Sequence, residues 1–494
     1  MTTTRFPAAG TNGINGIKAL RDGVRGPVLL PGDEGYDDEL AGFQTAYRHR
    51  PALVVGAEET ADVRAAVGFA AAHGLPVAVQ ATGHGLSVAA DGGVLISTRR
   101  MREVRVDARA RTAWFGAGVV WGQVVEAAAP HGLAPLSGSA AGVGAVSYTL
   151  GGGVGLLARQ FGYAADQVRG AEIVTADGAS RYVTAQSDPE LFWALRGAGH
   201  NFGVVTGLEV NLVPVDQVFG GGLYFGGALV EDVLRTYADW STAVPEEMTS
   251  SVGLIAYPDL PQLPAALRGR YAAHVRIAFN GDAAKGERLV APLRAIGPRL
   301  VDDLGELPYS EGESIYKDPP FPHAYTGTNA MLRELDPAAL GAVRELTGPD
   351  RPLMNVVDLR HLGGALSREP AVASAVGNRD ARYILRVITM LDGPDDIGQA
   401  RRTQERVLEV LAPWTTGSSL PFLYGDGERA GEEQTRTGHA PDTYRRLREL
   451  KARLDPANLF RFNRNISPAP APAPAPASPA PVPPPTPRNA ASHI

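Results

Sequence analysis

The chain has 494 residues, 44% hydrophobic and 20% charged, with a formal net charge of −6 and no cysteine. A length beyond the point where one hydrophobic core stops growing predicts two domains, and the missing cysteine excludes disulfides, thiolate metal sites and cysteine nucleophiles. The mildly acidic balance leaves no basic footprint for nucleic acid or an anionic membrane, so a small neutral or mildly charged molecule is the expected partner.

Residues 1–47 read as a short N-terminal lead-in. Met1 to Pro7 lacks the apolar core of a secretory signal and no run of 18 apolar residues follows, so the expected location is the cytoplasm, with no membrane span. Pro51 to Val55 then reads as a first strand and Glu58 to His73 as a helix, opened by Glu59-Thr60-Ala61-Asp62. Strands over Val77–Val79, Val94–Ser97, Ala171–Ala176 and Val204–Leu212 alternate with helices over Trp121–Ala129 and Pro189–Leu195. Short strands punctuated by glycine make this an α+β pattern. From about 216 to 425 the segments lengthen: Leu229–Thr242, a strand-like Tyr271–Ala278, a helix over Ala283–Ile296, and Arg382–Leu391. They predict a second sheet covered by helices. After Ser467 the chain becomes Pro-Ala repeats, an extended or disordered tail over 468–494.

Chemistry concentrates in the glycine loops. In Gln80-Ala81-Thr82-Gly83-His84-Gly85-Leu86 a histidine sits between glycines just after an apolar strand. Glycines there let backbone N–H groups close around an anion, and the imidazole is a nucleophile beside whatever binds. Further along come Gly142-Val143-Gly144 and Leu150-Gly151-Gly152-Gly153-Val154-Gly155. Gly153 to Ala158 also fits a dinucleotide fingerprint with Glu172 about 20 residues on, but that fingerprint belongs after the first strand of a βαβ unit. Here it follows two other glycine loops. The ten histidines are scattered, so no metal site is expected, and Ser137-Gly138-Ser139 lacks the spacing of a nucleophile elbow.

These motifs in this order, with Asp188 to Thr206 and the closing Asp442-Thr443-Tyr444 and Asp455 to Asn463, resemble the berberine-bridge-enzyme-like FAD-linked oxidases of the vanillyl-alcohol-oxidase superfamily. The resemblance implies a PCMH-type FAD-binding domain of two subdomains over 48–215, and a substrate domain with an antiparallel sheet covered by helices over 216–425. It also implies a closing segment over 426–467 that completes the FAD domain. By the same resemblance FAD is carried covalently by His84 alone, because the family's second attachment position falls on Ala140. Thr82, Gly83 and Gly85 would hold the pyrophosphate, with Leu86 also beside the cofactor and Gln80 where the family usually has Arg or Lys. Gly142, Val143, Gly144, Leu150, Gly152, Gly153, Gly155, Gly203, Val205, Asn463 and Asn465 would surround the rest, with Val143 as the gate for oxygen.

Tyr424 or Tyr148 is the implied catalytic base; in Tyr424-Gly425-Asp426 an aspartate replaces the asparagine of the family's Tyr-x-Asn motif. Asp358 and His361 are the candidates for the substrate pocket, and Arg360 and His361 cannot both face it from one regular strand. The implied reaction is hydride transfer from a hydroxylated small molecule, of natural-product or sugar type, to the flavin, with O2 as co-substrate and H2O2 released. Two alternatives stay open: an oxygenase or cyclase of polyketide-type biosynthesis, and a non-catalytic flavin-bearing binding protein. Oligomeric state is not legible.

Overall fold

The computed structural model describes residues 16–86, 88–424 and 431–470. Most of the proline-rich tail, Asp426 and the first fifteen residues lie outside them. No helix among the described residues is long and apolar enough to cross a membrane.

Two sheets form the N-terminal half. In the first, Val28–Leu29, Leu53–Gly56, Val94–Ser97 and Val77–Gln80 lie in that order, the last three mutually parallel. The helix Thr60–Ala72 supplies the crossover, and its Val63, Ala66, Val67 and Ala70 pack with Leu53, Val55 and Ile96 in one fully buried cluster. Its first turn is held by Asp62, whose buried carboxylate accepts the N–H groups of Arg25 and Glu58, each at 2.9 Å. The described part of the lead-in is therefore part of the fold. A two-residue strand carries no readable periodicity, so only pairing with Val54 and Val55 reveals it.

The second sheet orders Val104–Asp107, Thr112–Gly116, Val204–Asn211, Val168–Val174 and Ser180–Val183, all antiparallel. Helices Trp121–Ala128, Ala145–Leu150, Pro189–Leu195 and Pro441–Leu454 pack on one core with it. Asp188 caps the helix Pro189–Leu195 by accepting from Leu191 N–H at 3.1 Å, with Pro189 in the first turn. The segment after Gly153 turns through loop into the short helix Ala158–Phe161, so the dinucleotide fingerprint has no βαβ unit around it.

The closing helix is locked by a buried ion pair. Lys451 and Asp455 are fully buried and 2.7 Å apart. Lys451 Nζ also donates to the carbonyl of Phe460 at 3.1 Å and to that of Asn201, while Asp455 accepts from Leu459 and Phe460 N–H at 2.7 and 3.0 Å. A chain segment some 250 residues away from the loop at Asn201 is thereby tied to it.

The third sheet has nine strands, in the order Val301–Asp302, Gln217–Gly226, Tyr271–Phe279, Met248–Ala256, Asn355–His361, Tyr383–Met390, Tyr325–Leu332 and Thr415–Gly417, with Gly305–Pro308 also pairing to Gln217–Gly226. Side chains alternate between its faces. Val357, Leu359, Leu385 and Val387 go to a core shared with helices Val230–Ser241, Ala283–Arg294, Pro337–Thr347 and Asp396–Leu411. His274, Arg276, Asp358, Arg360 and Arg386 take the opposite face, toward the glycine loops.

Removing one partner of a buried ion pair leaves the other charge uncompensated. Lys451→Met is expected to lower unfolding free energy by roughly 3–5 kcal/mol, measured as a shift of the urea midpoint against the unaltered protein.

Candidate functional site

A cleft of about 720 Å³ opens where three stretches meet: 41–43, 81–84 and 139–142, facing 313–322 of the third-sheet region. His84 lies in its wall. The strand Val77–Gln80 ends at Gln80, whose buried amide meets His49 Nε2 at 3.1 Å and the carbonyl of Leu40 at 3.1 Å. Gln80 therefore anchors the loop and offers no charge to a ligand.

The loop returns against residues 42–44: Phe43 N–H donates to the Thr82 carbonyl at 2.9 Å and Gln44 N–H to that of Gly83 at 3.1 Å. Gly83 has φ +70°, and a Cβ there would stand 2.7 Å from Gly42 Cα. Only glycine fits. Gly85 has open space where a Cβ would be, and Leu86 is partly buried.

The imidazole of His84 is held on three sides. Its Nδ1 is 2.9 Å from Thr82 Oγ1, its ring stacks on Phe43 at 3.8 Å and 13°, and its Cε1 would be 3.7 Å from a Cβ at Gly142. Burial, reinforced by His323 and opposed by Asp318, pulls its pKa down to about 4. At neutral pH the ring is uncharged and keeps a nitrogen lone pair. The hydroxyl of Tyr325 donates to the His84 backbone carbonyl at 2.7 Å, and the Tyr325 ring meets Tyr424 edge-on at 5.2 Å and 79°. His84 and Tyr424, distant in sequence, are thus joined through one tyrosine of the third sheet. Tyr424 packs over Gly327, where a Cβ would come within 2.9 Å of its ring.

Val143 and Gly144 follow Gly142 into the helix Ala145–Leu150; Val143 is hydrogen-bonded by Trp121 N–H at 3.0 Å, and Gly144 lies against Ala81 and Thr82. Tyr148, on that helix, is partly buried, with its hydroxyl enclosed and its ring set among glycines. A Cβ on Gly153 would stand 2.4 Å from its ring, and one on Gly155 would stand 3.1 Å from its hydroxyl and 1.8 Å from the Ser137 carbonyl. Burial pushes its phenol far above the ordinary value. A phenol so placed holds its proton at neutral pH. Its hydroxyl is buried with no hydrogen-bond partner.

Leu150 turns its carbonyl to Gly197 and Gly199, each at 3.0 Å, and its side chain into the core. Gly152 and Gly153 receive Ala165 and Ala164 N–H at 2.9 and 3.0 Å. Gly203 and Val205 stand at the start of Val204–Asn211, Val205 in the second-sheet core. Asn463 donates to the carbonyls of His200 and Phe460 at 3.2 and 3.1 Å, and Asn465 to Ser467 at 3.3 Å; both amide oxygens are buried and unpartnered.

Asp358 faces the glycine loops. Arg276, Arg360 and Arg386 surround its carboxylate at 2.9, 2.8 and 3.4 Å, and hold it well below the usual carboxylate range against the cost of burial. His361 does not join it. One residue beyond Arg360, it turns to the helix-covered face and stacks on Tyr383 at 5.4 Å, whose hydroxyl meets Ser241 at 2.8 Å. Burial, together with Arg159 and Arg382, lowers its pKa to about 2, so it is a neutral core histidine. Sequence reading missed Phe43, Tyr325, Arg276 and Arg386. A lone arginine inside a largely apolar strand, as in Tyr271–Phe279 and Tyr383–Met390, was the available signal for both.

The residues present fit a flavin nucleotide. Glycine-walled loops leave space where any side chain would collide, and buried, unpartnered groups at Tyr148, Asn463 and Asn465 await polar atoms. This combination defines an FAD-binding oxidoreductase with a separate nine-stranded sheet.

Comparison with known proteins agrees. Residues 51–184 match the FAD binding domain family model and residues 441–467 the model for berberine and berberine-like proteins. The chain is 28% identical over 478 residues to (R)-6-hydroxynicotine oxidase of Paenarthrobacter nicotinovorans, spanning 90% of this chain and 97% of that one. It superimposes on the crystal structure of 6-hydroxy-D-nicotine oxidase from Arthrobacter nicotinovorans with a TM-score of 0.79 at 25% identity, covering 90% and 98% of the two chains. Xylooligosaccharide oxidase of Myceliophthora thermophila, solved with xylobiose, shares the fold at a TM-score of 0.80 and 21% identity over 92% and 99%. The chain is an FAD-linked oxidoreductase with an FAD binding domain and a berberine-like closing segment.

Gly83→Ala is expected to destabilise the loop by more than about 1 kcal/mol and to lower the flavin bound per protein, read as the ratio of visible to ultraviolet absorbance after purification.

Proposed function

We propose that this protein is an oxidase that carries FAD covalently on His84 and oxidises a hydroxyl-bearing small molecule at the expense of O2. The observation that supports it most directly is the link from His84 through Tyr325 to Tyr424. It sets a neutral imidazole and a phenol on either side of one tyrosine in the same site.

In this reading Thr82 orients the His84 ring, while backbone N–H groups of the 81–86 loop face the pyrophosphate. Tyr148, protonated, donates a hydrogen bond to the cofactor, and Asn463 and Asn465 supply acceptors. Bound FAD would accept hydride from the carbinol carbon and pass both electrons to O2, which leaves as H2O2. Tyr424 Oη removes the hydroxyl proton as the C–H bond breaks, so that the substrate CH–OH becomes C=O and two electrons leave with the hydride. Ala140, in the cleft wall, offers no second anchor, which supports a single covalent bond.

Acid precipitation followed by peptide mapping tests the anchor. Yellow colour should stay with the pellet on the peptide holding His84, and His84→Ala should release it to the supernatant; free flavin from the unaltered protein refutes the linkage. Because the His84 pKa is lowered, the ring is the neutral nucleophile above about 4. Covalent incorporation into flavin-free protein should be level through neutral pH and fall only as pH drops toward that value, whereas an unperturbed histidine would lose it near 6.5. Tyr424→Phe should slow anaerobic flavin bleaching by about 10²–10⁴-fold with flavin content kept. One peroxide per turnover separates the oxidase from an oxygenase, and a flavin that no alcohol, sugar or phenol bleaches points to a binding protein.

A further inference from the structure

Arg276, Arg360 and Arg386 converge on one carboxylate, that of Asp358. Each of the three arginines is at least nine-tenths buried, at 4, 7 and 8% exposure. Guanidinium groups stay protonated in proteins, so the cluster holds two more positive than negative charges away from water. Such an excess is costly unless something anionic joins it.

The surrounding groups offset it only in part. Tyr316 lies under Arg276 and Arg360 at 4.6 and 5.0 Å, and Phe422 under Arg360 and Arg386 at 5.1 and 4.0 Å. Asp318, at the cleft wall, acts on Arg360 from a distance and is itself bonded by Ser139 at 2.7 Å. His274, beside Arg276, accepts from its Nε at 3.2 Å and is held neutral by burial and by the arginine.

Polar atoms around the cluster are also left open. Ser251 Oγ, His274 Nε2 and Arg386 Nε are buried with no hydrogen-bond partner, although Ser251 sits between Arg276 and Arg360 in the sheet register. The face points at the glycine loop, since Arg360 donates to the Val154 carbonyl at 3.4 Å. Phe422 lies two residues before Tyr424. The cluster is therefore next to the proposed base and the proposed flavin site.

We propose that the substrate carries an anionic group, a carboxylate by class, which is seated by Arg276, Arg360 and Arg386 and completes the charge of the Asp358 cluster. A carboxylate presents two acceptor oxygens to the fork of a guanidinium, and Ser251 supplies a further donor. Asp358 is a positioning residue that spaces the three arginines. This inference rests on the oxidase reading above and names its substrate class.

The test uses the flavin-loaded enzyme and matched pairs: glucuronate with glucose, mandelate with methyl mandelate, and 4-hydroxyphenylacetate with its methyl ester. Anaerobic flavin bleaching and kcat/KM by oxygen uptake are measured for each. At least one acid should be preferred over its neutral partner by about tenfold or more, one charge-assisted contact being of that order. Arg386→Met should erase that preference and Arg386→Lys should keep most of it. Ser251→Ala, a change small enough to fold, should reduce it severalfold.

Neutral partners that bleach the flavin as well as or better than the acids would overturn the anionic substrate and leave the oxidase intact. No bleaching by any member of the pairs counts against both. An Arg386→Met variant with a shifted flavin midpoint potential and an unaltered acid preference would assign the charge to the cofactor, and the proposal would fall.

Discussion

The nine-stranded sheet packs one apolar face on helices, while its other face sets buried charge beside smaller apolar clusters that hold Val218, Ala278, Met331 and Ile384. Helices cover Val357, Leu359, Leu385 and Val387 as in any α+β layer. The other face carries Asp358 and its arginines, and burying those requires a polar, close-fitting surface beneath. The glycine loops provide it. Much of the site follows from that demand: the loops must approach closely, must expose backbone groups, and must leave room for something that completes the polar contacts.

Close approach explains the glycines better than flexibility does. Gly83 against Gly42, and Gly153 and Gly155 against Tyr148 and Ser137, are positions where a single methyl group would meet backbone or ring atoms. Their crowding keeps Tyr148 in one orientation with its hydroxyl free. In a medium that disfavours phenolate, such a group is a fixed donor. Tyr424 packs edge-on to Tyr325, whose hydroxyl donates to the His84 carbonyl.

The separation of roles between neighbouring residues has the same origin. Arg360 and His361 are adjacent in the chain, and the pleat sends one to the cleft side and the other to the helix side. His361 becomes a neutral core residue on Tyr383, while Arg360 joins the charged cluster. A similar division holds for the closing helix, whose chemistry is wholly structural: Lys451 and Asp455 bind the Asn201 loop to the chain end, and Asn463 is presented from there.

Local chemistry alone made the helix Pro189–Leu195 and the strand Val94–Ser97 readable to the residue. The glycine loops and His84 were readable for the same reason, since a histidine between glycines after an apolar strand is a local pattern, and its family resemblance rests on contiguous residues. Sequence also limited Arg360 and His361 to opposite faces through the two-residue period of a strand. Which of the two faced the cleft was decided by the sheet, because only its pairing order shows which side the helices cover. The partnerships of Phe43 with His84, of Tyr325 with Tyr424, and of Arg276 and Arg386 with Asp358 join residues far apart in the chain, and the contact of Tyr325 with His84 spans 241 positions. No local period encodes such contacts; they exist only once three sheets have packed and left their polar groups no other partners.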